Sequence, residues 1–407
     1  MERDCDVLIV GGGLNGATLA LALASAGIRP ILIDAGARAT RADPEFDGRA
    51  YALSASSRAM LAALGLWARV ASETQEIAEI KISDGRAGEG AAPFFLHFDG
   101  GEIDEGPMGH MLEDRHLRRA LFAALDAAGV ATRESARVIA QEIAPGRATV
   151  TLADGETLTG ALLVGADGRD SGVARRAGIG REGHDYRQSA LVCAIAHERP
   201  HGGIAHQFFM PEGPLAILPL PGNRSSIVWT ERRETAATIQ GLDPEAYLRA
   251  LRPRFGDFLG PIALAGKRFS YPLGLTLAET ITGPRLALVG DAAHGIHPLA
   301  GQGLNLGLRD VAALAEVLAT AHRRGLDIGA PDVLDGYRDW RRVDTALLVA
   351  ATDGINRLFS NDNPLLRLGR DLGLGLVNGV APLRRRLIRE AAGLTGDLPR
   401  LLRGQPL

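Results

Sequence analysis

Two cysteines, Cys5 and Cys193, are all that the 407 residues contain, and they lie far apart. That is too few for a disulfide framework or a thiolate metal site, and a reducing, cytoplasmic home is the expectation that follows. The net charge is only −3, so nothing in the charge balance points to a nucleic-acid partner. No apolar run reaches the ~20 residues that a membrane-spanning helix needs, so any membrane contact is expected to be peripheral, at the inner face. Residues 1–6 lean acidic and run straight into the strand-like Val7-Leu-Ile-Val10, unlike the basic start of a secretory signal. Internal repeats and low-complexity tracts are missing too. What is present, 46% hydrophobic and 23% charged residues, is the balance of an ordinary folded protein, long enough for two interleaved domains.

Residues 6–34 read as strand, glycine turn, helix and strand, a βαβ unit. Helical patterns follow at Ser56–Ala71 and Asp114–Ala128, and strand patterns at Ala148–Leu152 and Ala161–Gly165. Near Tyr186 the pattern changes to short alternating strands broken by Gly and Pro, at Ser189–His197, Ile204–Met210, Pro214–Leu220 and Ser225–Thr230. A helix near Pro244–Phe258 and a strand near Lys267–Tyr271 come next. Arg285-Leu-Ala-Leu-Val289 then repeats the buried-strand pattern and returns the chain to its first domain. The expected fold is α/β: a doubly wound Rossmann-like domain (1–75, 108–182 and 280–345), an inserted antiparallel β-sheet substrate domain (76–107 and 183–279) and a helical C-terminal region (346–407).

Gly11-x-Gly13-x-x-Gly16 sits between the first strand and its helix, and Asp34 ends the next strand 18 residues beyond the last glycine. In a dinucleotide fingerprint each glycine has a mechanical role. Gly11 permits the tight turn, Gly13 lets a pyrophosphate approach the backbone, Gly16 packs helix on strand, and the acid binds a ribose. The helix N-terminus adds free N–H groups and partial positive charge for the phosphates. This unit serves FAD and NAD alike.

Two later stretches separate those cofactors. Ala161-Leu-Leu-Val-Gly165-Ala-Asp167-Gly168-Arg169 resembles the Asp-Gly motif of flavoprotein aromatic hydroxylases, a group that includes para-hydroxybenzoate hydroxylase. Gly290-Asp291-Ala-Ala-His294-Gly-Ile-His-Pro298-Leu-Ala-Gly301-Gln-Gly303-Leu304-Asn305 resembles their Gly-Asp motif. The resemblance implies FAD as cofactor, Asp291 on the ribityl chain, and the backbone of Gly303, Leu304 and Asn305 at the pyrimidine end of the flavin. A helix beginning there would aim its positive end at the charge of a reduced flavin. Arg49, in Asp47-Gly-Arg49-Ala-Tyr, and Arg115, in Glu113-Asp-Arg115-His-Leu, match family arginines that reach the cofactor. The Gly301-x-Gly303 loop with Pro298 is the bed on which such a flavin moves. No side chain is nominated as catalytic beyond the flavin itself.

Phe208-Phe-Met-Pro-Glu-Gly213-Pro-Leu-Ala-Ile-Leu-Pro219, Phe359-Ser-Asn-Asp-Asn-Pro364 and the tail Ala391-Ala-Gly-Leu-Thr-Gly-Asp-Leu-Pro-Arg400 are similar to the ubiquinone-biosynthesis hydroxylases. That likeness covers essentially the whole chain. It implies ring hydroxylation of a polyprenylated phenol, with NAD(P)H as transient reductant and O₂ as oxidant through a C4a-hydroperoxyflavin, beside other proteins of the pathway. Alternatives are an FAD hydroxylase of a small soluble aromatic acid and a non-catalytic flavin-binding assembly subunit. His294 and His297 have an i, i+3 spacing but no completing ligands, so no metal is expected. Residues 351–407 hold nine arginines against five acids, and the Arg384-Arg-Arg386 cluster suits either an anionic lipid surface or a solvated helix face.

Overall fold

The computed structural model describes residues 3–41, 45, 47–88, 90–295, 302–342 and 378–407. Its first large sheet has six strands in the spatial order Thr282–Gly283, Leu286–Leu288, Leu162–Gly165, Val7–Val10, Pro30–Ile33 and Ala131–Arg133. All neighbours run parallel except the first pair. Parallel strands require a crossover, and helix Leu14–Ser25 supplies the one between Val7–Val10 and Pro30–Ile33. Layers on both faces explain why Val7-Leu-Ile-Val10 and Pro30-Ile-Leu-Ile33 are buried at every position instead of alternating. Val7, Ile9 and Leu32 pack with the helices Leu14–Ser25, Asp114–Ala127 and Gln302–Arg323. Leu8, Val10, Ile31 and Ile33 pack with the antiparallel strands Val138–Ala144, Arg147–Leu152 and Thr157–Gly160.

A nine-stranded sheet is built on the 17-residue strand Arg181–His197. The reading from sequence starts this strand at Ser189. Pairing with Phe269–Ala278 continues back to Arg181 through an irregularity between Asp185 and Gln188, where Arg187 has φ 57° and the alternation is broken. Every pairing in the sheet is antiparallel except Ile204–Met210 beside Glu79–Arg86. The expected helix Ser56–Ala71 is two helices, Ala55–Ala63 and Trp67–Val70, because Gly65 (φ 70°) turns the chain between them.

One face of this sheet, with Leu191, Cys193, Ile195, Ile227 and Trp229, packs against the helices Arg233–Gln240 and Pro244–Phe255. Cys193 is the small buried hydrophobe its alternating context predicts, and burial pushes its thiol up to about 11. The opposite face presents Ala194, Ala205 and Leu220 to Ile77 and Met111, which belong to a small sheet of Ala50–Ser54, Thr74–Ile77 and Gly109–Glu113.

The two large sheets meet at the segment after strand Leu286–Leu288. Gly290–Ala292 forms a 3₁₀ turn, and His294–Gly295 pairs with Thr276–Leu277 of the nine-stranded sheet. Asp310, fully buried on helix Gln302–Arg323, holds this junction: its carboxylate lies 2.6 Å from His294 Nε2, accepts from Arg341 Nε at 2.7 Å, and accepts the Gly290 backbone N–H at 2.9 Å. Burial pushes the Asp310 carboxyl up, but the His294 and Arg341 charges outweigh it and hold the group below the ordinary carboxylate range. A depressed folded pKa contributes stability that is complete above about pH 4, where the unfolded carboxyl is ionised, and is lost as pH falls through the folded value. We expect Asp310→Ala to cost about 3–5 kcal/mol, because it strips the buried Arg341 charge and the Gly290 N–H of their shared partner. Urea unfolding of wild type and variant at pH 7 and in steps below pH 4 checks this; the difference shrinks in acid if the ionised carboxylate is responsible.

Candidate cofactor and active site

Three turns leave the same end of the parallel sheet. Gly11 follows Val10, Ala166 and Asp167 follow Gly165, and Gly290 and Asp291 follow Val289. In doubly wound sheets ligands bind beyond these C-terminal strand ends, where the strand order reverses. Here the reversal falls between Val7–Val10 and Leu162–Gly165. A cleft of about 450 Å³ opens there, lined by Gly11, Gly13, Asp34, Ala166, Asp167 and Gly168 among others.

The glycines are required by distance. A Cβ on Gly11, whose φ is 110°, would stand 2.3 Å from the Ala166 carbonyl oxygen, and one on Gly16 would stand 1.9 Å from that of Gly11. Gly13 differs: nothing lies within 4 Å of where its Cβ would be, and although it occupies the N-cap of helix Leu14–Ser25 it provides no side-chain cap. The helix start is therefore left open toward the cleft with its positive end available to an anion.

Asp34 is already engaged. Oδ2 accepts the Gly12 N–H, Oδ1 accepts that of Gly36 at 2.6 Å, and Arg41 pairs with the carboxylate at 2.7 Å. Any ribose contact would be added to this role of closing the glycine turn. Asp167 likewise braces local structure, accepting from Ser171 Oγ and from Val173 N, while Gly168 turns away at φ 83°.

Arg49 and Arg115 are brought together at the end of the small sheet, where Asp114 N donates to the Arg49 carbonyl. Arg49 pairs with Asp47 at 2.6 Å and lies 3.7 Å from Asp114; Arg115 donates from Nε to Glu113 at 2.8 Å. Burial pulls against the charge on Arg49, but the hydrogen bond it donates to Asp47 and the field of Asp114 outweigh this and raise its pKa, so this arginine is a permanent cation. At the other end of the same sheet, the Asn305 carboxamide is engaged with protein: Oδ1 accepts from Ser54 N and Ser57 Oγ, and Nδ2 donates to the Ala52 carbonyl. The side chain is thus a rivet, which leaves backbone as what Gly303, Leu304 and Asn305 can offer a ligand. Around Gly303 the Cβ position is open. Gly301, His297 and Pro298 lie outside the described residues.

His294 faces Asp310, and among the described residues no group of three or more His, Cys, Asp or Glu side chains is gathered as a metal site would need.

Several site residues escape the reading from sequence. Arg41, Arg137 and Arg176 line the cleft and give it positive charge, but isolated arginines carry no sequence signal. Asn15, inside the glycine motif, packs its amide over Gly290 and Gly307, with Nδ2 only 2.2 Å from where a Gly290 Cβ would be. Its Oδ1 is buried and, among the described residues, has no hydrogen-bond partner. Arg181 donates from Nη2 to the Asp291 carbonyl at 2.9 Å. Asp310 had a faint signal, an acid beside the apolar stretch Val311 to Ala315 of a helix. An uncapped helix start, a basic cleft, Cβ positions with no room and orphaned buried polar atoms together fit a phosphate-linked dinucleotide such as FAD.

A family model described as an FAD binding domain matches residues 4–352. Over its full length the chain is 46% identical to a ubiquinone hydroxylase of Rhodospirillum rubrum, of which it covers 94%. It is 35% identical to the 3-demethoxyubiquinol 3-hydroxylase of Escherichia coli, over 97% of this chain and 100% of that one. In fold it is similar to the p-nitrophenol 4-monooxygenase of Pseudomonas putida, with a TM-score of 0.80, 20% identity, and coverage of 97% of this chain and 99% of the other.

Gly13→Asp separates ligand binding from folding. The extended backbone at Gly13 (φ −68°, ψ −178°) suits an aspartate cap, so the apoprotein should gain a few tenths of a kcal/mol. The same carboxylate would repel a bound phosphate, and FAD affinity should fall by roughly tenfold or more. Thermal melts of the apoprotein and a flavin fluorescence titration check the two signs.

Proposed function

Because the chain belongs to the FAD-binding domain family and, within it, to the ubiquinone hydroxylases, we propose that it is an NAD(P)H-dependent flavoprotein monooxygenase that hydroxylates the ring of a polyprenylated phenol on the route to ubiquinone. The observation that carries the reading is the convergence of the Gly11 and Asp167 turns on one basic cleft, with the Gly290 turn packed against Asn15 of the glycine motif, in a chain that matches a ubiquinone hydroxylase from end to end. One ring C–H becomes C–OH, O₂ supplies that oxygen and leaves its second atom as water, and NAD(P)H supplies two electrons. Bound FAD provides the redox chemistry, taking hydride from the nicotinamide and passing electrons to O₂.

What the protein contributes is binding, orientation and dryness. The open start of helix Leu14–Ser25, with Arg41 and Arg176 in the cleft walls, holds the pyrophosphate. The Asp291 carboxylate accepts hydroxyls of the ribityl chain. The first turn of helix Gln302–Arg323, with its bare glycine backbone, stabilises negative charge on the pyrimidine side of the ring system. The small sheet packs on the nine-stranded one through Ala194, Ala205, Leu220, Ile77 and Met111, and the substrate ring is proposed to bind beside this apolar seam. Water kept out there also protects reactive oxygen species from unproductive decay. A reduced nicotinamide visits the flavin from outside, since the chain holds one dinucleotide fingerprint.

Among the described residues no helix is long and apolar enough to cross a membrane. Contact with lipid is proposed through helix Ala381–Ala391, where Leu383, Arg385 and Arg386 are exposed. Arg384, grouped with them in the sequence, is tied to Glu102 at 2.8 Å.

Deletion of this protein should make cells accumulate an under-hydroxylated polyprenyl phenol, visible by mass spectrometry. Wild type should restore the quinone and Asp291→Ala should not; normal quinone levels in a deletion strain without a redundant hydroxylase would overturn the pathway assignment. For the lipid surface, Arg385→Glu with Arg386→Glu should reduce co-sedimentation with vesicles containing phosphatidylglycerol several-fold, and undiminished sedimentation would exclude this helix.

A further inference from the structure

We infer that Arg181 is a cofactor-binding residue, whose guanidinium completes its hydrogen bonds only when the phosphate–ribityl linker of FAD lies against the Gly290–Asp291 turn. The inference rests on the flavin reading above and adds a residue outside every recognised motif.

Arg181 is the first residue of strand Arg181–His197, at the corner where the nine-stranded sheet approaches the dinucleotide-binding end of the parallel sheet. One guanidinium nitrogen, Nη2, donates to the Asp291 carbonyl at 2.9 Å. Nε and Nη1 are buried from solvent and, among the described residues, have no hydrogen-bond partner. Leaving two donors of a cation buried and unmade is expensive, so a protein that retains them has another use for them. On the other side of the same turn Asn15 Oδ1 is a buried acceptor, also without a partner. Unmet donors and an unmet acceptor thus flank one loop. A ligand that satisfies both must present acceptor oxygens and hydroxyl donors, and the phosphates and ribityl hydroxyls of FAD supply both kinds.

Charge fits the same picture. Burial lowers the pKa of Arg181, while Asp170, Asp167 and Asp291, which come from the two acidic turns, pull it back up. The guanidinium therefore sits between those turns and offsets their charge where an anionic linker must pass. Since Arg181 also begins a strand of the nine-stranded sheet, a bound linker would tie the cofactor turn to the sheet proposed to cover the substrate.

The test uses full-length protein, freed of flavin and titrated separately with FAD, ADP and riboflavin, alongside thermal melts with and without FAD. For Arg181→Met we expect FAD binding about ten- to a hundredfold weaker, the range for losing charge-assisted hydrogen bonds. The apoprotein should melt no lower than wild type, because the unmet buried donors are gone. Arg181→Lys, which keeps the charge, should fall between the two. A matching loss for ADP would assign the donors to phosphate, and a matching loss for riboflavin to the ribityl chain; either supports the inference. Unchanged FAD affinity in Arg181→Met would overturn it. So would an apoprotein destabilised as much as the FAD-bound form, since that marks a purely structural arginine. Failure of wild type itself to bind FAD would instead remove the flavin reading on which the inference stands.

Discussion

The carboxylate of Asp310 is the contact on which both halves of the molecule depend. It lies inside a helix that packs on the parallel sheet, yet its ligands, the Gly290 N–H, His294 and Arg341, define the loop where that sheet hands over to the nine-stranded one. An ionised acid in such a place is tolerable only because each of its oxygens is met by a donor or a cation. Once it is in place, the turn carrying Asp291 cannot drift relative to the strand His294–Gly295 that follows it. The Asp291 turn and the sheet junction are thereby held by one buried carboxylate.

A second constraint comes from the room that three turns need in order to meet. The Gly11 turn touches the backbone at Ala166, and Gly290 lies under the amide of Asn15, so the strand ends close on one another without side chains between them. What remains between them is exposed amide and positive charge, arranged before any ligand arrives. Preorganisation of this kind spares a bound dinucleotide the cost of ordering its own site. Among the described residues, Asn15 and Arg181 keep buried polar atoms without a partner beside this turn.

Much of the parallel half could be read directly from the chain. Val7-Leu-Ile-Val10 and Arg285-Leu-Ala-Leu-Val289 announce buried strands because both faces are covered, and Gly11, Gly13, Gly16 and Asp34 have a spacing that sterics impose on any such turn. The nine-stranded sheet was less legible. Its strand Arg181–His197 appeared only in its second half, because Arg187 interrupts the alternation and the preceding residues pair at an exposed edge with no apolar face to declare them. The helix expected over Ser56–Ala71 divided at Gly65, where left-handed backbone overrode a continuous apolar pattern.

By itself, the sequence determined the dinucleotide turn, the burial of the parallel strands and the membership of a flavoprotein family, since each depends on residues close together along the chain. Tertiary structure decided which atoms were free to act. Asn305 proved to be a rivet for Ala52, Ser54 and Ser57, Asp34 a brace for its own turn, and Arg384 a partner of Glu102. Arg181 and Asn15, unremarkable as letters, are among the described residues with buried polar atoms that no protein group meets, and they are the two that border the Gly290–Asp291 turn. The physical reason is that hydrogen-bond satisfaction belongs to pairs of groups brought together from distant segments, and a linear pattern specifies the groups but not their pairing.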